Sequence, residues 1–377
     1  MLRFLHTADW QIGRQYARFE VEDAAALAEA RFTAVERLAG LATEEQVSAV
    51  LVAGDIFDAQ GLSNRTLHRT FQAMSGFAGP WVLLPGNHDA ALAESIWSRA
   101  QRIGAVPDNV HVLTRPEPLR LDAIGAAILP APLTQRQTHE DLTAWFDDAA
   151  TPDGLVRIGL AHGSVEGQLP ESADSPNPIA ADRAATARLD YLALGDWHGL
   201  KQVDARTWYS GTPEQERFKN NGAGQALLVE IDRPGAVPRV EARATGQYGW
   251  YQWRRRLAVA SDLDALLEEL AALPAMSVID LTLAGELDLA GKQHLDQALS
   301  AAAGRHRSLQ VDTAELALSP TAEDLADLHA DGYVGHVIRE LQEQQTGDGE
   351  GADTARRALG ILAGLLRERP SAKESSS

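Results

Sequence analysis

An α/β fold is predicted by the way short apolar runs alternate with longer Ala- and Leu-rich helical stretches through residues 1–235. Five of the apolar runs also stop at residues able to hold a cation or move a proton, which is where open α/β sheets carry ligands. With 377 residues, 45 % of them apolar, the chain can fill the cores of two or three domains.

Composition narrows the chemistry. There is no cysteine, so a disulfide framework and thiolate metal sites are excluded, and any metal must sit on His, Asp, Glu, Asn or Gln. A net charge of −19 argues against a surface that grips nucleic acid everywhere, because phosphate neutralisation needs clustered Lys and Arg. No apolar run approaches membrane-spanning length and no leader follows Met1, so a cytoplasmic protein with no membrane partner is expected.

The elements follow in order. Residues 2–8 read as a strand ending at Asp9, with His6 expected as a packed, hydrogen-bonded core histidine. Residues 21–41 read as a helix, and the valine-rich run 47–53 as a buried strand delivering Gly54-Asp55-Ile56-Phe57-Asp58. Ser63 is placed to cap a helix on which Arg65, His68 and Arg69 share a face, a candidate contact for a DNA backbone. A strand at 81–84 stops at Pro85-Gly86 and delivers Asn87, His88 and Asp89: a neutral oxygen ligand, an imidazole and a carboxylate together. A helix from Ser95, strands at 110–113, 119–122 and 126–129, and a helix at 139–148 lead to a strand at 157–161 that delivers His162-Gly163. After a Pro-, Ser- and acid-rich loop at 166–177, a strand at 191–194 delivers Gly195-Asp196-Trp197-His198. Segments 208–213 and 225–231 close this domain. Repeated delivery of ligand-type residues by buried strands points to a metal that collects them.

On these motifs the chain resembles the calcineurin-like metallophosphoesterases, and the SbcD-type DNA repair nucleases among them. The family pattern D-x-H, G-D-x-x-D/H, G-N-H-D/E, H-G and G-H-x-H is met here by Asp9-Trp10-Gln11, Gly54 to Asp58, Gly86 to Asp89, His162-Gly163 and Gly195 to His198. The resemblance implies a four-layer α/β/β/α sandwich and a metal-dependent phosphodiesterase that cleaves DNA with an SbcC-like ATPase partner, and it admits a homodimer. It further implies that Asp55 bridges two divalent ions, one held by Asp9, Gln11 and His198 and the other by Asn87, His162 and Asp196, while His88, oriented by Asp58, meets the scissile phosphate. Gln11 and Asp196 stand where the family has histidines. This exchange of imidazoles for oxygen donors favours Mn²⁺, or Mg²⁺, over Zn²⁺. Two other readings stay open, a phosphoesterase for small diesters or monoesters and a metal-poor scaffold subunit.

Beyond the linker or turn at 232–238 the composition becomes plain. Strands at 250–259, 276–284 and 308–312 alternate with helices at 262–273 and 289–303, giving a small α/β domain over 236–318 that the resemblance makes a cap on the catalytic domain, 1–235. Arg254 and Arg256 interleave with Trp250, Tyr251 and Trp253, as a single-strand contact requires, although a strand with solvated edges accounts for them equally. Residues 319–377 read as partner-docking helices: one from Pro320 with Leu325, Leu328, Val334 and Leu341, a linker at 346–353, and one at 354–367 with Ile361, Leu362, Leu365 and Leu366, before an irregular tail at 371–377.

Overall fold

In the computed structural model the described residues are 1–168, 177–327, 332–346 and 349–367; most of the loop expected at 166–177, Leu328, part of the linker and the tail lie outside them. The chain divides into two compact units, Met1–Gln247 and Tyr248–Ser377.

The first unit runs β1 (Leu2–Thr7), α1 (Val21–Glu44), β2 (Ala49–Val52), α2 (Asn64–Ala73), β3 (Trp81–Leu83), α3 (Ile96–Arg102), β4 (Val110–Val112), β5 (Leu119–Leu121) and β6 (Ala126–Ala131). It continues through β7 (Val156–His162), β8 (Ser164–Val165), β9 (Pro178–Ile179), α4 (Arg183–Thr186), β10 (Tyr191–Gly195), β11 (Lys201–Gln202), β12 (Thr207–Tyr209), β13 (Gln225–Ile231) and β14 (Arg239–Ala244). Two six-stranded sheets form, ordered β14-β13-β1-β2-β3-β4 and β11-β12-β10-β7-β6-β5. β1 to β4 run parallel, as do β6, β7, β10 and β12. Parallel strands are buried on both faces, which is why β2 is Ala-Val-Leu-Val without a polar residue.

The sheets pack face to face through Phe4, Leu51 and Val82 on one side and Ile128, Ile158, Tyr191 and Ala193 on the other. α1, α2 and α3 cover the outer face of the first sheet with Val35, Leu38, Leu67, Phe71 and Trp97. Leu129, Ala161, Leu192 and Leu194 of the second sheet meet Phe146 and Ala184. The layers are therefore helix, sheet, sheet, helix, the last one thin. Ser63 caps α2 as expected, its hydroxyl accepting the Thr66 amide.

Two expectations change. The helix expected at 139–148 reduces to a single 3₁₀ turn, Ala144–Phe146. The Asp141 carboxylate accepts the Thr143 amide and an Arg183 guanidinium N–H, a local arrangement that competes with a continuing helix. The boundary near 235 also moves, because β14 pairs antiparallel with β13 and extends the first unit to Gln247. The intervening turn is fastened: Arg206 donates to the carbonyls of Gly235 and Ala236, and the Asp190 carboxylate accepts the Gly235 amide.

The second unit contains β15 (Gly249–Leu257), α5 (Ala260–Ala272), β16 (Ser277–Leu287), α6 (Leu289–Arg305), β17 (Ser308–Leu318), α7 (Ala322–Asp327), α8 (Gly332–Gln344) and α9 (Glu350–Arg367). Its three strands form a parallel sheet, and Leu263, Leu266, Leu270 and Leu295 of α5 and α6 pack on Ile279, Leu281 and Leu283. The terminal helices are not a separate segment: Leu325, Ile338, Leu359 and Ala363 form a core with Leu289 and Leu318 of this unit. Among the described residues no helix is long and apolar enough to cross a membrane.

Candidate metal centre

The parallel strands of both sheets end at one cluster of loops. Asp9 follows β1, its amide donating to the Gly54 carbonyl (3.0 Å), and Gln11 follows with its amide on the Asp55 carbonyl (2.9 Å). The Asp196 amide, after β10, donates to Asp9 Oδ1 (3.1 Å), so the loops of the two sheets hold one another. Asp9, Gln11, Asp55 and Asp196 all have positive φ, at 55°, 50°, 53° and 96°. Non-glycine residues in this region cost conformational energy, and such strain persists where surrounding contacts over-determine the backbone, as at functional sites. The glycine ahead of Asp55 serves the same crowding: a Cβ at Gly54, itself at φ +92°, would lie 2.1 Å from the His162 ring.

Asp9, Asp55 and His162 are buried, and their ligand atoms lie within 4.8 Å of one another. His162 Nδ1 donates to the Ala53 carbonyl (2.8 Å), which turns Nε2 to 3.6 Å from Asp55 Oδ1 and 3.7 Å from Asp196 Oδ1. Asn87 lies against the same atoms. In the orientation its neighbours favour, its amide nitrogen is 3.0 Å from His162 Nε2 and 3.0 and 3.1 Å from the Asp55 oxygens; the amide turned over presents its oxygen there. Gln11 Nε2 donates to Asp55 Oδ2 at 2.7 Å. Two oxygens remain buried without a protein partner, Asp9 Oδ2 and Gln11 Oε1. Buried polar atoms are nearly always satisfied, so orphaned oxygens among carboxylates and imidazoles fit a bound divalent cation.

The electrostatics agree. Burial pushes the Asp9 carboxyl up to about 6, with Asp55 and Asp196 adding to the rise and His198 and His162 opposing it. Burial opposes charge on His162 as well, but the carboxylates of Asp55, Asp9 and Asp196 outweigh it and hold the ring up to about 9. Excess negative potential of this kind attracts cations.

His88 stands at the edge of the cluster, with its side chain 27 % exposed. Its amide donates to Asp55 Oδ1 (2.9 Å), and its Nδ1 is 2.9 Å from the Asp58 carbonyl oxygen, whereas the Asp58 carboxylate is 3.8 Å away. The expected pairing with Asp58 thus runs through the backbone. Buried Asp89 fastens the loop, accepting the amides of Gly86 (2.6 Å) and Phe57 (3.1 Å). Burial first, then the neighbouring Asp55, pushes its carboxyl up to about 7.

Sequence reasoning missed Glu216. Its buried carboxylate accepts from His198 Nδ1, Arg31 Nη2 (2.9 Å), Arg14 Nε (3.1 Å) and Arg217 Nε (2.9 Å). Despite burial, these cations, His198 foremost, hold it well below the usual carboxylate range. No strand end or motif marks it, only an acid-rich stretch after Thr212-Pro213.

Of the residues expected to touch DNA, Arg69 and Arg254 are engaged in ion pairs, and Arg65, His68 and Arg256 are exposed. Arg69 pairs with Glu29 and lies 4.0 Å from the Phe32 ring centroid, both on α1. Arg65 is exposed on α2, and His68 borders a cleft with Phe71, Met74 and Asn109 that includes none of the cluster residues. Arg254 pairs with Glu315 across the sheet of the second unit, and Arg256 is exposed on the same strand.

Comparison with known proteins agrees with this geometry. The calcineurin-like phosphoesterase family matches residues 2–200, a span that contains every cluster residue from Asp9 to His198. The chain is 39 % identical over 285 residues to the D component of nuclease SbcCD from Rhodobacter capsulatus, covering 63 % of this chain and 68 % of that one. It is 24 % identical over 282 residues to the D component of nuclease SbcCD from Bacillus subtilis, covering 62 % and 67 %. It is also 24 % identical over 255 residues to the DNA double-strand break repair protein Mre11 of Methanosarcina acetivorans, covering 62 % and 37 %. On the matched span and the two-sheet sandwich it folds into, the chain belongs to the calcineurin-like phosphoesterase family.

Proposed function

We propose that the protein is a metal-dependent phosphodiesterase acting on DNA, the nuclease subunit of a repair complex with an SbcC-like ATPase. The observation that carries this reading is the pair of buried, unpartnered oxygens, Asp9 Oδ2 and Gln11 Oε1, beside Asp55 and His162. Similarity to proteins named as components of nuclease SbcCD and as Mre11 supports DNA as the substrate and an SbcC-like protein as the partner. Asp55 would be shared by two ions, with Asp9, Gln11 and His198 on one and Asn87, His162 and Asp196 on the other. Mn²⁺ suits the oxygen-rich donor set, with Mg²⁺ next. Bound there, the ions would supply charge stabilisation at the scissile phosphate and activation of the attacking water. His88 holds its Nδ1 proton on the Asp58 carbonyl, which leaves Nε2 to deliver a proton to the leaving oxygen. Its partial exposure lets solvent restore that proton. The outer face of α9 would dock the ATPase.

Cleavage of end-labelled single- and double-stranded DNA, compared with a small chromogenic diester under Mn²⁺, Mg²⁺ and Zn²⁺, tests the reading. His88→Asn should keep the metals and lose turnover on the order of 100-fold or more, the loss of a general acid. Asp55→Ala should lose both. Near-full activity in His88→Asn removes the assigned role, and preference for the small diester replaces DNA as the substrate. One observation favours a metal-poor centre: the Gln11 amide nitrogen occupies Asp55 Oδ2 at 2.7 Å and competes with an ion there. Calorimetry should therefore show two unequal affinities; no divalent binding at all would leave a scaffold subunit.

A further inference from the structure

We propose that the loops beside His198 form a platform for an unpaired DNA strand, stacking its bases and pairing its phosphates; this rests on the nuclease reading above. Trp197 stands between Asp196 and His198 in the chain, is half-buried, and has Lys219 Nζ 5.0 Å from its ring centroid. The Arg217 guanidinium lies 2.7 Å from His198 Nδ1, with its side chain 46 % exposed. Phe218, next in the chain, has the Arg18 guanidinium 4.6 Å from its ring centroid, and Arg18 also lies 4.9 Å from the Phe19 centroid. Cations and aromatic rings are therefore paired in the loops that flank a candidate metal ligand.

A sequence-tolerant grip on a single strand needs this pair of chemistries, π faces for the bases and cations along the backbone. The location answers the difficulty set by a net charge of −19, since a few cations concentrated beside the reacting phosphate hold a strand end that the rest of the surface repels. Glu20, Glu22 and Asp23 follow Arg18 in the chain and Arg217 is paired with Glu216, so the cationic part falls chiefly to Lys219 and the part of Arg18 is stacking. A duplex hides its base faces within the helix. The platform accordingly selects unpaired or frayed ends. The competing account is mechanical: the same cation–π contacts brace the loop around Arg18 against the loop around Phe218, and substitutions would then cost stability and leave binding alone.

The test is fluorescence anisotropy of the full-length protein with a labelled oligothymidylate of about 15 nucleotides, in EDTA so that nothing is cut, over a range of salt. Lys219→Ala and Phe218→Ala should each weaken binding about tenfold. Lys219→Ala should also reduce the slope of log affinity against log salt by about 0.7, the loss of one phosphate contact, while Phe218→Ala leaves that slope unchanged. Arg120→Ala, which removes an exposed cation from the Arg120–Asp122 pair on β5, should bind as the wild type does. If Phe218→Ala fails to fold, Phe218→Leu keeps the apolar volume without the π face and should show the same weakening. Binding of both platform variants within twofold of wild type overturns the proposal, as does a blunt duplex bound as tightly as the single strand. A wild type that cleaves the chromogenic diester without this variant pattern overturns the platform alone. A wild type that shows the pattern but cleaves no diester with any divalent ion supports the platform and overturns the nuclease reading.

Discussion

His88 and His198 are both held through Nδ1, but by different kinds of acceptor, and the two therefore respond differently to mutation. The acceptor for His88 is the Asp58 backbone carbonyl, which no side-chain change removes. Asp58→Asn should leave the imidazole in place and lower turnover by less than about tenfold, far from the loss expected on removing a general acid. A loss equal to that of His88→Asn would show that the carboxylate itself orients the ring. His198 instead depends on Glu216, which also compensates Arg31, a guanidinium with 1 % side-chain exposure. Glu216→Gln should destabilise the fold by about 3 kcal/mol, because it leaves a buried cation without its charge partner. It should also weaken one of the two metal affinities on the order of 10- to 100-fold through loss of the ring's orientation. Denaturant titration and calorimetry on the one variant check both; unchanged metal affinity in a folded variant would reduce Glu216 to a packing role.

At the scale of elements, β1 joins the two sheets through one imidazole. His6 Nε2 donates to the Leu194 carbonyl (3.2 Å), and Nδ1 accepts the Tyr191 hydroxyl (3.0 Å), both on β10 of the facing sheet. Burial pushes the ring down to about 3, although the Leu194 bond resists, so His6 stays neutral in the fold while an unfolded chain takes up a proton near pH 6.5. The unfolded state then binds more protons between pH 6.5 and about 3. Stability from this residue is full above pH 6.5 and falls as pH drops, by about 2 kcal/mol at pH 5. Urea denaturation from pH 7 to 5 should show a fall of that order, and His6→Asn should flatten it. An equally steep profile in the variant would assign the pH dependence to other groups.

At the scale of the whole molecule, α9 presents two apolar faces with different fates. Leu359 and Ala363 are buried against Leu289 and Leu318, which makes the helix part of the second unit. Ile361 and Leu365 lie one turn apart and are 65 % and 60 % exposed. Deleting the terminal helices would uncover the inner face and destabilise the unit, so a truncation cannot separate docking from folding. Ile361→Glu with Leu365→Glu isolates the outer face. The double variant should keep its thermal midpoint, since exposed substitutions cost within about 0.5 kcal/mol each, and should lose co-purification with an SbcC-like ATPase. Retained co-purification would move the docking site elsewhere.

How much was legible from the chain depended on how far apart in sequence the deciding contacts lie. The strands, the order of the ligand-type residues and their places at strand ends were readable, because a buried parallel strand must be apolar along its length and its C-terminal loop must turn at once. The helix at 139–148 failed because the Asp141 contact with Arg183 is long-range and overrides local propensity. Glu216 was invisible because its buried partner Arg31 is 185 residues away. Arg65, His68 and Arg69 share a helix face, yet the fold pairs Arg69 with Glu29 and brings Arg217, Phe218 and Lys219 beside His198 and Trp197. By itself the sequence determined the α/β class and the motifs whose family resemblance implies the sandwich, since periodicity and spacing report which residues must be buried or turned. Which partner each polar side chain meets was decided only by the tertiary structure, because hydrogen bonds and ion pairs at long sequence separation leave no local pattern to read.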